Sequence, residues 1–264
     1  MLWPMQAHDF DWIVPDWPAP ASVQACCSTR LGGYSSGRYG GFNLGLHVGD
    51  DPQHVQSNRS RLQSHVGARA VFMDQVHGTD MLELEPLMPD GLAADGAFTD
   101  RTGLACTVMV ADCLPVLFCD VQGRQVAAAH AGWRGLLGIQ GRGVLETAAA
   151  TFAGGGDSRV PGELMAWLGP CIGPKAFEVG EAVRAAFVAD SRHAADCFRP
   201  AAPGKWWADL QALARLRLTA LGIAHIYGND GSDAWCTVSN PSRFFSYRRD
   251  GITGRMAACI WRLA

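Results

Sequence analysis

The chain has 264 residues, of which 48% are hydrophobic and 18% charged, and its formal net charge is −3. This composition is typical of a soluble globular protein and excludes extensive disorder. The length can bury a sizeable core in one large domain or two small ones. The slightly acidic balance gives no electrostatic basis for binding nucleic acid or an anionic membrane, so we expect neither partner.

The N-terminal segment and the cysteines indicate where the protein works. No apolar run approaches the roughly 18 residues of a membrane span. The first 20 residues contain three aspartates and no lysine or arginine, which does not fit a signal peptide. The nine cysteines include no C-x-x-C pair, and several lie inside apolar runs. We therefore expect a cytoplasmic protein whose cysteines are reduced and mostly buried.

Apolar and alternating segments predict ten strands and four helices. The predicted strands are Val23–Ser28, Val71–Gln75, Met81–Leu84, Leu104–Val110, Val116–Cys119, Val126–His130, Met165–Leu168, Ile223–Tyr227, Phe244–Tyr247 and Met256–Trp261. The first helix begins at Asp51-Pro52, an N-cap followed by proline, and runs to about His65. The other predicted helices are Leu136–Phe152, Val179–Val188 and Trp207–Leu221. This order is not a clean βαβ alternation. It predicts an α/β or α+β fold, with one domain over residues 1–264 and a mixed sheet covered by helices.

Three segments beside predicted strands carry candidate catalytic side chains. They are Gln75-Val76-His77-Gly78, Ala111-Asp112-Cys113-Leu114-Pro115 and His130-Ala131-Gly132-Trp133-Arg134-Gly135. Two imidazoles and one thiol form a ligand set suited to a catalytic zinc or copper ion with one position open. The same residues also fit a metal-free site, with Cys113 as nucleophile and His130 as base. Spacing alone does not separate these alternatives, and each residue taken singly fits a structural role.

Residues His130 to Gly135 also suggest an anion site. The segment joins a predicted strand to a predicted helix, and the first N–H groups of a helix favour negative charge. Arg134 would add a planar fork of donors, which suits phosphate. The alternative is that the glycines only form a turn and Arg134 is solvated.

Two further groups of residues are candidates for binding substrate. Glycine-rich segments near the N-terminus contain Arg30, Asn43 and His47, which would be polar contacts at a rim or parts of a tight structural loop. Near the C-terminus, Phe244, Phe245 or Tyr247 could stack on a planar base while Arg248 holds an anion. The alternative for the second group is an exposed strand with a solvated basic end.

Taken in this order, the segments resemble the YfiH-type family. It is also called the laccase-domain or multicopper polyphenol oxidase family and is grouped with purine nucleoside phosphorylases. The resemblance covers nearly the whole chain, and its most specific parts are Ala111–Pro115 and His130–Gly135. One departure is Arg38–Phe42, where a serine-rich form is expected. The other matching segments are Ile13–Pro15, Ser28–Arg30, Asn43–Gly45, Gln75–Gly78, Val116–Phe118, Gly169-Pro170, Ile172–Pro174, Phe177–Gly180 and Phe244–Asp250.

The resemblance implies a single layered α/β domain similar to that of cytotoxic-factor-like cysteine hydrolases. It implies Zn²⁺ or Cu²⁺ bound by the residues that match the family's ligands, His77, Cys113 and His130. It also implies phosphorolysis of adenosine, inosine and methylthioadenosine, with adenosine deamination as a further activity. The expected partners are purine nucleosides and phosphate, and the expected assembly is a monomer or weak homodimer.

Two alternative activities stay open. The first is a metal-free cysteine amidohydrolase, which would use the Cys113 thiolate. The second is a copper-dependent polyphenol oxidase. We rank the oxidase lower because a multicopper site needs many histidines, usually in H-x-H pairs, whereas the chain has eight histidines and no such pair.

Overall fold

The computed structural model describes residues 11–153 and 161–264, which form thirteen strands and six α-helices. The strands are β1 (Val23–Cys27), β2 (Arg69–Phe72), β3 (Met81–Glu83), β4 (Gly96–Thr99), β5 (Leu104–Val110), β6 (Leu114–Asp120), β7 (Val126–Ala131), β8 (Leu164–Leu168), β9 (Glu178–Gly180), β10 (Phe198–Pro200), β11 (Lys205–Ala208), β12 (His225–Gly228) and β13 (Met256–Arg262). The helices are α1 (Pro52–Val66), α2 (Trp133–Leu137), α3 (Val144–Thr151), α4 (Glu181–Asp190), α5 (Leu210–Ala220) and α6 (Tyr247–Asp250).

The described strands form three sheets. The first sheet has the order β1-β13-β5-β2, and the second has the order β12-β8-β6-β7-β4-β3. Both are mixed: β2 pairs with β5 in parallel, as do β12 with β8 and β3 with β4, and the remaining pairs are antiparallel. A small antiparallel third sheet has the order β10-β11-β9. The predicted α+β class with a mixed sheet covered by helices is confirmed, and the structure divides the described strands among three sheets.

The first and second sheets pack face to face, and each sheet covers the inner face of the other. Strands β5, β6 and β7 are buried along their whole length. Their side chains alternate between two cores, so both faces of each strand must be covered. Cys106, Val108, Leu117 and Ala128 meet between the sheets. Helix α1 covers the outer face of the first sheet, and α3 and α5 cover the outer face of the second.

The first predicted helix is confirmed, including its cap. The carboxylate of Asp51 accepts a hydrogen bond from the backbone N–H of Gln53 at 2.8 Å, and Pro52 opens the helix. Gly67 ends it in the left-handed conformation at φ 67°. Helix α1 spans Pro52–Val66, so the expected end near His65 is one residue short.

The prediction of one continuous helix over Leu136–Phe152 was wrong. The structure has α2 and α3, separated by a tight loop in which Gly138, Gln140 and Gly141 all have positive φ values of 64°, 52° and 75°. A helix requires negative φ, so these residues interrupt the apolar periodicity that predicted one helix. The break separates α2, which begins at the cavity wall with Trp133, from α3, which packs on the second sheet.

Two other predicted helices begin later than expected. The segment predicted as Val179–Val188 starts as strand β9, and α4 begins at Glu181. Likewise, Trp207 lies in β11, and α5 begins only after Asp209, whose carboxylate accepts from the N–H of Ala212 at 2.7 Å. In both cases a short strand of the third sheet precedes the helix, and its pairing outweighs the helical pattern of the sequence.

The predicted strand Phe244–Tyr247 was also wrong. Phe244 and Phe245 are both fully buried, whereas a half-buried strand would alternate. Ser246 then caps α6 by accepting a hydrogen bond from the N–H of Arg249 at 3.2 Å. The two aromatic rings pack against Val110 and Met256, at the ends of β5 and β13.

All nine cysteines lie in the described residues and are free thiols; seven are buried, and Cys113 and Cys197 are half-buried. The predicted role of most cysteines as small core residues is therefore confirmed. Among the helices of residues 11–153 and 161–264, none has the length and apolar character needed to cross a membrane.

Candidate metal and active site

The structure brings His77, Cys113 and His130 together at one end of the interface between the first and second sheets. His77 follows β2, Cys113 lies in the turn from β5 to β6, and His130 is on β7. One ligand atom from each residue lies within 4.8 Å of the other two. The Cys113 Sγ is 3.9 Å from His77 Nε2. The two imidazole rings meet edge to face, with centroids 4.8 Å apart.

A single buried carboxylate orients both histidines. Asp95 Oδ1 lies 2.8 Å from the ring Nδ1 of His130 and also accepts a hydrogen bond from the backbone N–H of His77 at 2.9 Å, so it fixes the ring of His130 and the backbone of His77. Its Oδ2 accepts the N–H groups of Val76 and Gly78 at 3.2 and 2.6 Å. Because Nδ1 of His130 is engaged by Asp95, its Nε2 is the atom left for a ligand or a proton.

Unusual backbone conformations and small residues allow these groups to approach one another. His77 and Asp112 have positive φ values of 62° and 100°, which are rare for residues other than glycine and often occur at functional sites. At Gly132, an added Cβ would lie 3.0 Å from Cys113 Sγ and 3.1 Å from a carbon of the His77 ring. Only glycine leaves the space that the thiol and the imidazole occupy at that position.

Side-chain to backbone bonds hold the flanking segments. The Gln75 amide donates to the carbonyl of Met109 at 2.8 Å and accepts its N–H at 2.7 Å, so the segment before His77 is fixed to the end of β5. Both carboxylate oxygens of Asp112 are occupied. One accepts from the hydroxyl of Thr237 and the other from the backbone N–H of Arg248, each at 2.6 Å. Asp112 therefore fixes the turn that carries Cys113.

Electrostatic coupling shifts the pKa values of Cys113 and His130 in opposite directions. Burial alone would raise the pKa of Cys113, but the charge of His130 and hydrogen bonds with His130 and His77 outweigh it and lower the pKa to about 6. Burial alone would lower the pKa of His130, yet Cys113 and Asp95 raise it to about 9. Without a metal ion, Cys113 and His130 would therefore form a thiolate–imidazolium pair between about pH 6 and 9.

The donor set fits a divalent transition metal. Tetrahedral zinc with Zn–N and Zn–S distances of about 2.0–2.3 Å separates its ligand atoms by roughly 3.3–3.6 Å. The distance of 3.9 Å between Cys113 Sγ and His77 Nε2 is within a few tenths of an ångström of that range. The contact of His130 with a carboxylate is the arrangement that commonly fixes a metal-binding imidazole. Three protein ligands would leave one position for a substrate or water.

The three residues lie in the wall of a cavity of about 600 Å³, a size typical of sites that bind small molecules. Its wall combines apolar and aromatic side chains with arginines. Besides the three candidate ligands, it contains His47, Asp74, Gln75, Met109, Val110, Ala111, Asp112, Trp133, Arg134, Ile172, Phe177, Leu210, Tyr247, Arg248 and Arg255.

Four of the seven candidate substrate-binding residues line this cavity: His47, Arg134, Tyr247 and Arg248. Tyr247 is 61% exposed, and its ring is free to contact a ligand. Arg134 is also exposed, and its guanidinium lies 4.6 Å from the ring centroid of Trp133.

The other three candidates lie outside the cavity wall. Arg30 donates to the carbonyls of Pro241 and Gly40 at 2.7 and 3.3 Å. Asn43 is fully buried and bonds within the N-terminal loop and to the backbone of Arg255. Phe244 is fully buried in a small apolar cluster. In this structure these side chains stabilise the loops behind the cavity.

Sequence reasoning missed Asp95, Arg255, Trp133 and Phe177. A usable signal existed for Asp95, because it is a single carboxylate within the apolar run Leu92-Ala93-Ala94-Asp95-Gly96-Ala97. A buried lone charge of this kind is usually paired or functional. Trp133 and Phe177 lie in the matching segments His130–Gly135 and Phe177–Gly180, but those motifs did not assign them a contact, and Arg255 lies in no such segment. Only the packing of separate segments shows that all three line the cavity.

Comparison with known proteins places this chain in a family. Residues 24–263 match the sequence model described as multi-copper polyphenol oxidoreductase laccase. A purine nucleoside phosphorylase of Pseudomonas aeruginosa is 49% identical over 251 residues, which cover 95% of this chain and 98% of that protein. The purine nucleoside phosphorylase YfiH of Escherichia coli is 47% identical over 251 residues, covering 94% of this chain and 98% of YfiH.

Solved structures agree with the sequence match. A Neisseria meningitidis protein superposes with a TM-score of 0.89 at 46% identity, covering 96% of this chain and 99% of that one. YlmD from Geobacillus stearothermophilus has a TM-score of 0.85 at 32% identity and covers 98% of both chains. The resemblance predicted from the motifs is thus confirmed, and the chain belongs to the YfiH family of laccase-like proteins, whose curated members include purine nucleoside phosphorylases.

Proposed function

We propose that the protein is a purine nucleoside phosphorylase acting on adenosine, inosine and methylthioadenosine, with adenosine deamination as a second activity at the same site. The observation that supports this most strongly is the convergence of His77, Cys113 and His130 in a cavity whose wall also presents aromatic rings and arginines. The names of the relatives that match along nearly the whole chain support the same reaction class.

The three converging residues would hold Zn²⁺ or Cu²⁺, and an ion bound there would supply Lewis-acid polarisation of substrate groups. Asp95 would keep the His130 ring oriented by engaging its Nδ1. Gly132 would preserve the space in which the thiol and the His77 ring meet. The role of the protein is therefore to fix three donors and leave one side open to the cavity.

In phosphorolysis the bond between C1′ of the ribose and N9 of the purine breaks, and a phosphate oxygen bonds to C1′. The proton of monohydrogen phosphate ends on the released base, so the products are the purine and ribose 1-phosphate. Deamination instead adds water at C6 of adenosine and releases ammonia to give inosine. Tyr247, Trp133 and Phe177 offer aromatic surfaces in the cavity wall against which a purine could stack.

The test compares wild-type protein with Cys113→Ala and, as a matched control, Cys197→Ala, which changes the other half-buried thiol. Cys197 lies outside the cavity wall. Each purified protein is analysed for bound metal and incubated with adenosine, with and without phosphate, and the products are identified by chromatography. We expect Cys113→Ala to lose bound metal and at least about 100-fold in activity because one of three ligands is removed.

The control should keep both the metal and the activity. Adenine that forms only with phosphate supports phosphorolysis, and inosine that forms without phosphate supports deamination. Full metal content together with full activity in Cys113→Ala would contradict the assigned site.

One observation supports a second candidate function, a metal-free cysteine amidohydrolase. Cys113 and His130 form a thiolate–imidazolium pair, and Asp95 engages the other ring nitrogen of His130, which is the order of groups in a cysteine-based triad. This candidate predicts hydrolysis of an amide that a thiol reagent stops and a chelator does not. The nucleoside phosphorylase predicts loss of activity with the chelator and recovery when the ion is restored.

A copper-dependent polyphenol oxidase is less well supported. Within residues 11–153 and 161–264, the group formed by His77, Cys113 and His130 is the one cluster of histidine, cysteine or acidic residues that could hold a metal ion. A multicopper oxidase would need further clusters. Loading the protein with copper and measuring oxidation of a phenol tests this function directly.

We further propose a cytoplasmic location and a single domain that works as a monomer or weak homodimer. The burial of seven free thiols supports a reducing compartment. The shared core between the first and second sheets supports a single folding unit. Light scattering of the purified protein would measure the oligomeric state.

A further inference from the structure

In the part of the chain that the structure describes, eight of the arginines outside the cavity contact carboxylates. Arg217, for example, contacts Glu146 and Asp190 at 2.9 and 2.7 Å, and Arg243 contacts Asp11 at 2.7 Å. The cavity wall is different. It carries Arg134, Arg248 and Arg255, and in the described part of the chain none of these guanidinium groups forms an ion pair.

The acidic groups of the cavity do not offset this charge. The wall contains two aspartates, Asp74 and Asp112, against the three arginines. Both oxygens of Asp112 are already bound by Thr237 and by a backbone N–H. The cavity therefore has an excess of positive charge. Because unpaired charges are costly where water is excluded, such a cavity favours an anionic ligand.

Arg255 is the arginine that the fold positions most firmly. Its backbone N–H donates to the Asn43 side chain at 2.8 Å, and its carbonyl accepts from the N–H of Leu44 at 3.0 Å. A Cβ on Gly45 would lie 2.8 Å from the Cγ of Arg255, so glycine leaves room for the aliphatic part of this side chain. Asn43 and Gly45 therefore affect the cavity indirectly, because they fix the position of Arg255.

The guanidinium of Arg255 retains free donors. Its Nη1 donates to the carbonyls of Thr253 and Gly254, both at 3.1 Å. Its Nε and Nη2 have no hydrogen-bond partner among the residues that the structure describes. A half-buried, immobilised fork with two free donor groups suits a tetrahedral oxyanion.

The other two arginines differ in their surroundings. Arg248 reaches the carbonyl of Glu178 at 3.1 Å through its Nη1, and its guanidinium lies 5.4 Å from the Phe177 ring centroid. Arg134 is exposed and stacks on Trp133. It belongs to α2, which has five residues and adds little helix dipole. Both residues are exposed, but the hydrogen bond to the Glu178 carbonyl holds Arg248 at the cavity wall, so we choose Arg248 as the residue that assists Arg255.

We propose that Arg255, assisted by Arg248, forms an oxyanion subsite that holds inorganic phosphate in the cavity, with Asn43 and Gly45 as positioning residues. This inference rests on the proposed phosphorylase function and deepens it. It moves the phosphate contact from Arg134 and the start of α2, where the sequence suggested it, to the segment before β13.

The experiment measures both the binding of phosphate and its use as a substrate. Binding of inorganic phosphate to the metal-loaded protein is measured by calorimetry, and KM for phosphate and for adenosine are measured separately. The variants are Arg255→Met, Arg255→Lys and Arg134→Met, with Arg199→Met as a control. Arg199 is an exposed arginine on β10, outside the cavity wall. Metal content and thermal unfolding are measured for every variant.

We expect Arg255→Met to weaken phosphate binding and raise KM for phosphate on the order of 10- to 100-fold, since charge-assisted hydrogen bonds are lost. KM for adenosine and metal content should stay close to wild type. Arg255→Lys should recover part of the affinity, because it restores the charge but not the planar fork. Arg199→Met should leave all these quantities unchanged.

Three outcomes overturn the assignment. In the first, Arg255→Met binds phosphate as tightly as wild type. In the second, Arg134→Met loses phosphate binding and Arg255→Met does not. In the third, Arg255→Met loses phosphate affinity, adenosine affinity and metal together, which indicates a structural role. If wild-type protein neither binds phosphate nor forms ribose 1-phosphate, the proposed function itself fails, a result distinct from these three.

Discussion

Cys113 shows how strongly the surroundings determine the chemistry of one residue type. Burial raises the pKa of five other cysteines, among them Cys119, whose pKa is raised to about 12, and Cys197, whose pKa is raised to about 11. A hydrogen bond with Cys259, together with burial, raises the pKa of Cys26. Cys113 is also subject to burial, yet two imidazoles reverse the direction. The same side chain is thus an inert core residue at most positions and a thiolate at this one.

This difference predicts selective alkylation in metal-free protein. After a chelator removes metal, Cys113 should react with iodoacetamide with a midpoint near pH 6, because the thiolate is the reacting form and its pKa is about 6. The reaction is followed by mass spectrometry of the peptide that contains Cys113. The peptide containing Cys197 serves as the control and should stay largely unmodified below pH 8. A Cys113 midpoint near 8.5, the value of a free thiol, would contradict the coupling to the histidines.

At the scale of elements, the site depends on one loop residue that ties two strands together. Asp95 precedes β4 and accepts hydrogen bonds from three consecutive N–H groups after β2, residues 76–78, and it also contacts His130 on β7. Burial alone would raise the pKa of Asp95, but the hydrogen bond and charge of His130 and the N–H groups of Gly78 and His77 keep that pKa below its usual range. Removal of the charge should loosen both histidines at once.

We therefore expect Asp95→Asn to weaken metal binding by about 10- to 100-fold, as is common when a partner of a metal-binding histidine is changed. Affinity is measured by competition with a chromogenic chelator. The matched control is Asp80→Asn, an exposed aspartate whose backbone carbonyl, not its carboxylate, contacts Asp95. Equal metal affinity in Asp95→Asn and in the control would show that the carboxylate does not organise the site.

The wrong element predictions have a common cause. The apolar pattern predicts a helix through Leu136–Phe152 and another from Val179, but a tight loop interrupts the first and a short strand precedes the second. Apolar periodicity reports which positions are buried, and it is insensitive to a tight loop between two elements that share a core. The strand predicted over Phe244–Tyr247 failed for the same reason, since its two buried aromatics pack in a loop.

At the scale of the whole molecule, the candidate metal site joins the first and second sheets. His77 follows a strand of the first sheet, His130 belongs to the second, and Cys113 lies in the turn that connects them. An ion held by all three would bind the folded protein and not the separated segments. Metal binding should therefore stabilise the fold as a whole.

A thermal shift tests this coupling without any activity measurement. At a free ion concentration 100 times Kd, the stabilisation is about 2.7 kcal/mol, which corresponds to a rise in Tm of roughly 5–10 °C for a chain of this size. Cys113→Ala should lose most of the shift, and Cys197→Ala should keep it. An equal shift in the two variants would mean that the ion binds elsewhere.

Local patterns and specific short motifs are enough to identify the family, the mixed α+β class and the three segments that carry His77, Cys113 and His130. The folded chain is needed to see that these residues meet and that Asp95 contacts both histidine segments. It is also needed to see that Arg255 lines the cavity, whereas Arg30, Asn43 and Phe244 do not. The physical reason is that pKa values, ligand distances and unpaired charges depend on groups that are close in space. Here those groups come from two sheets and from loops distant in sequence.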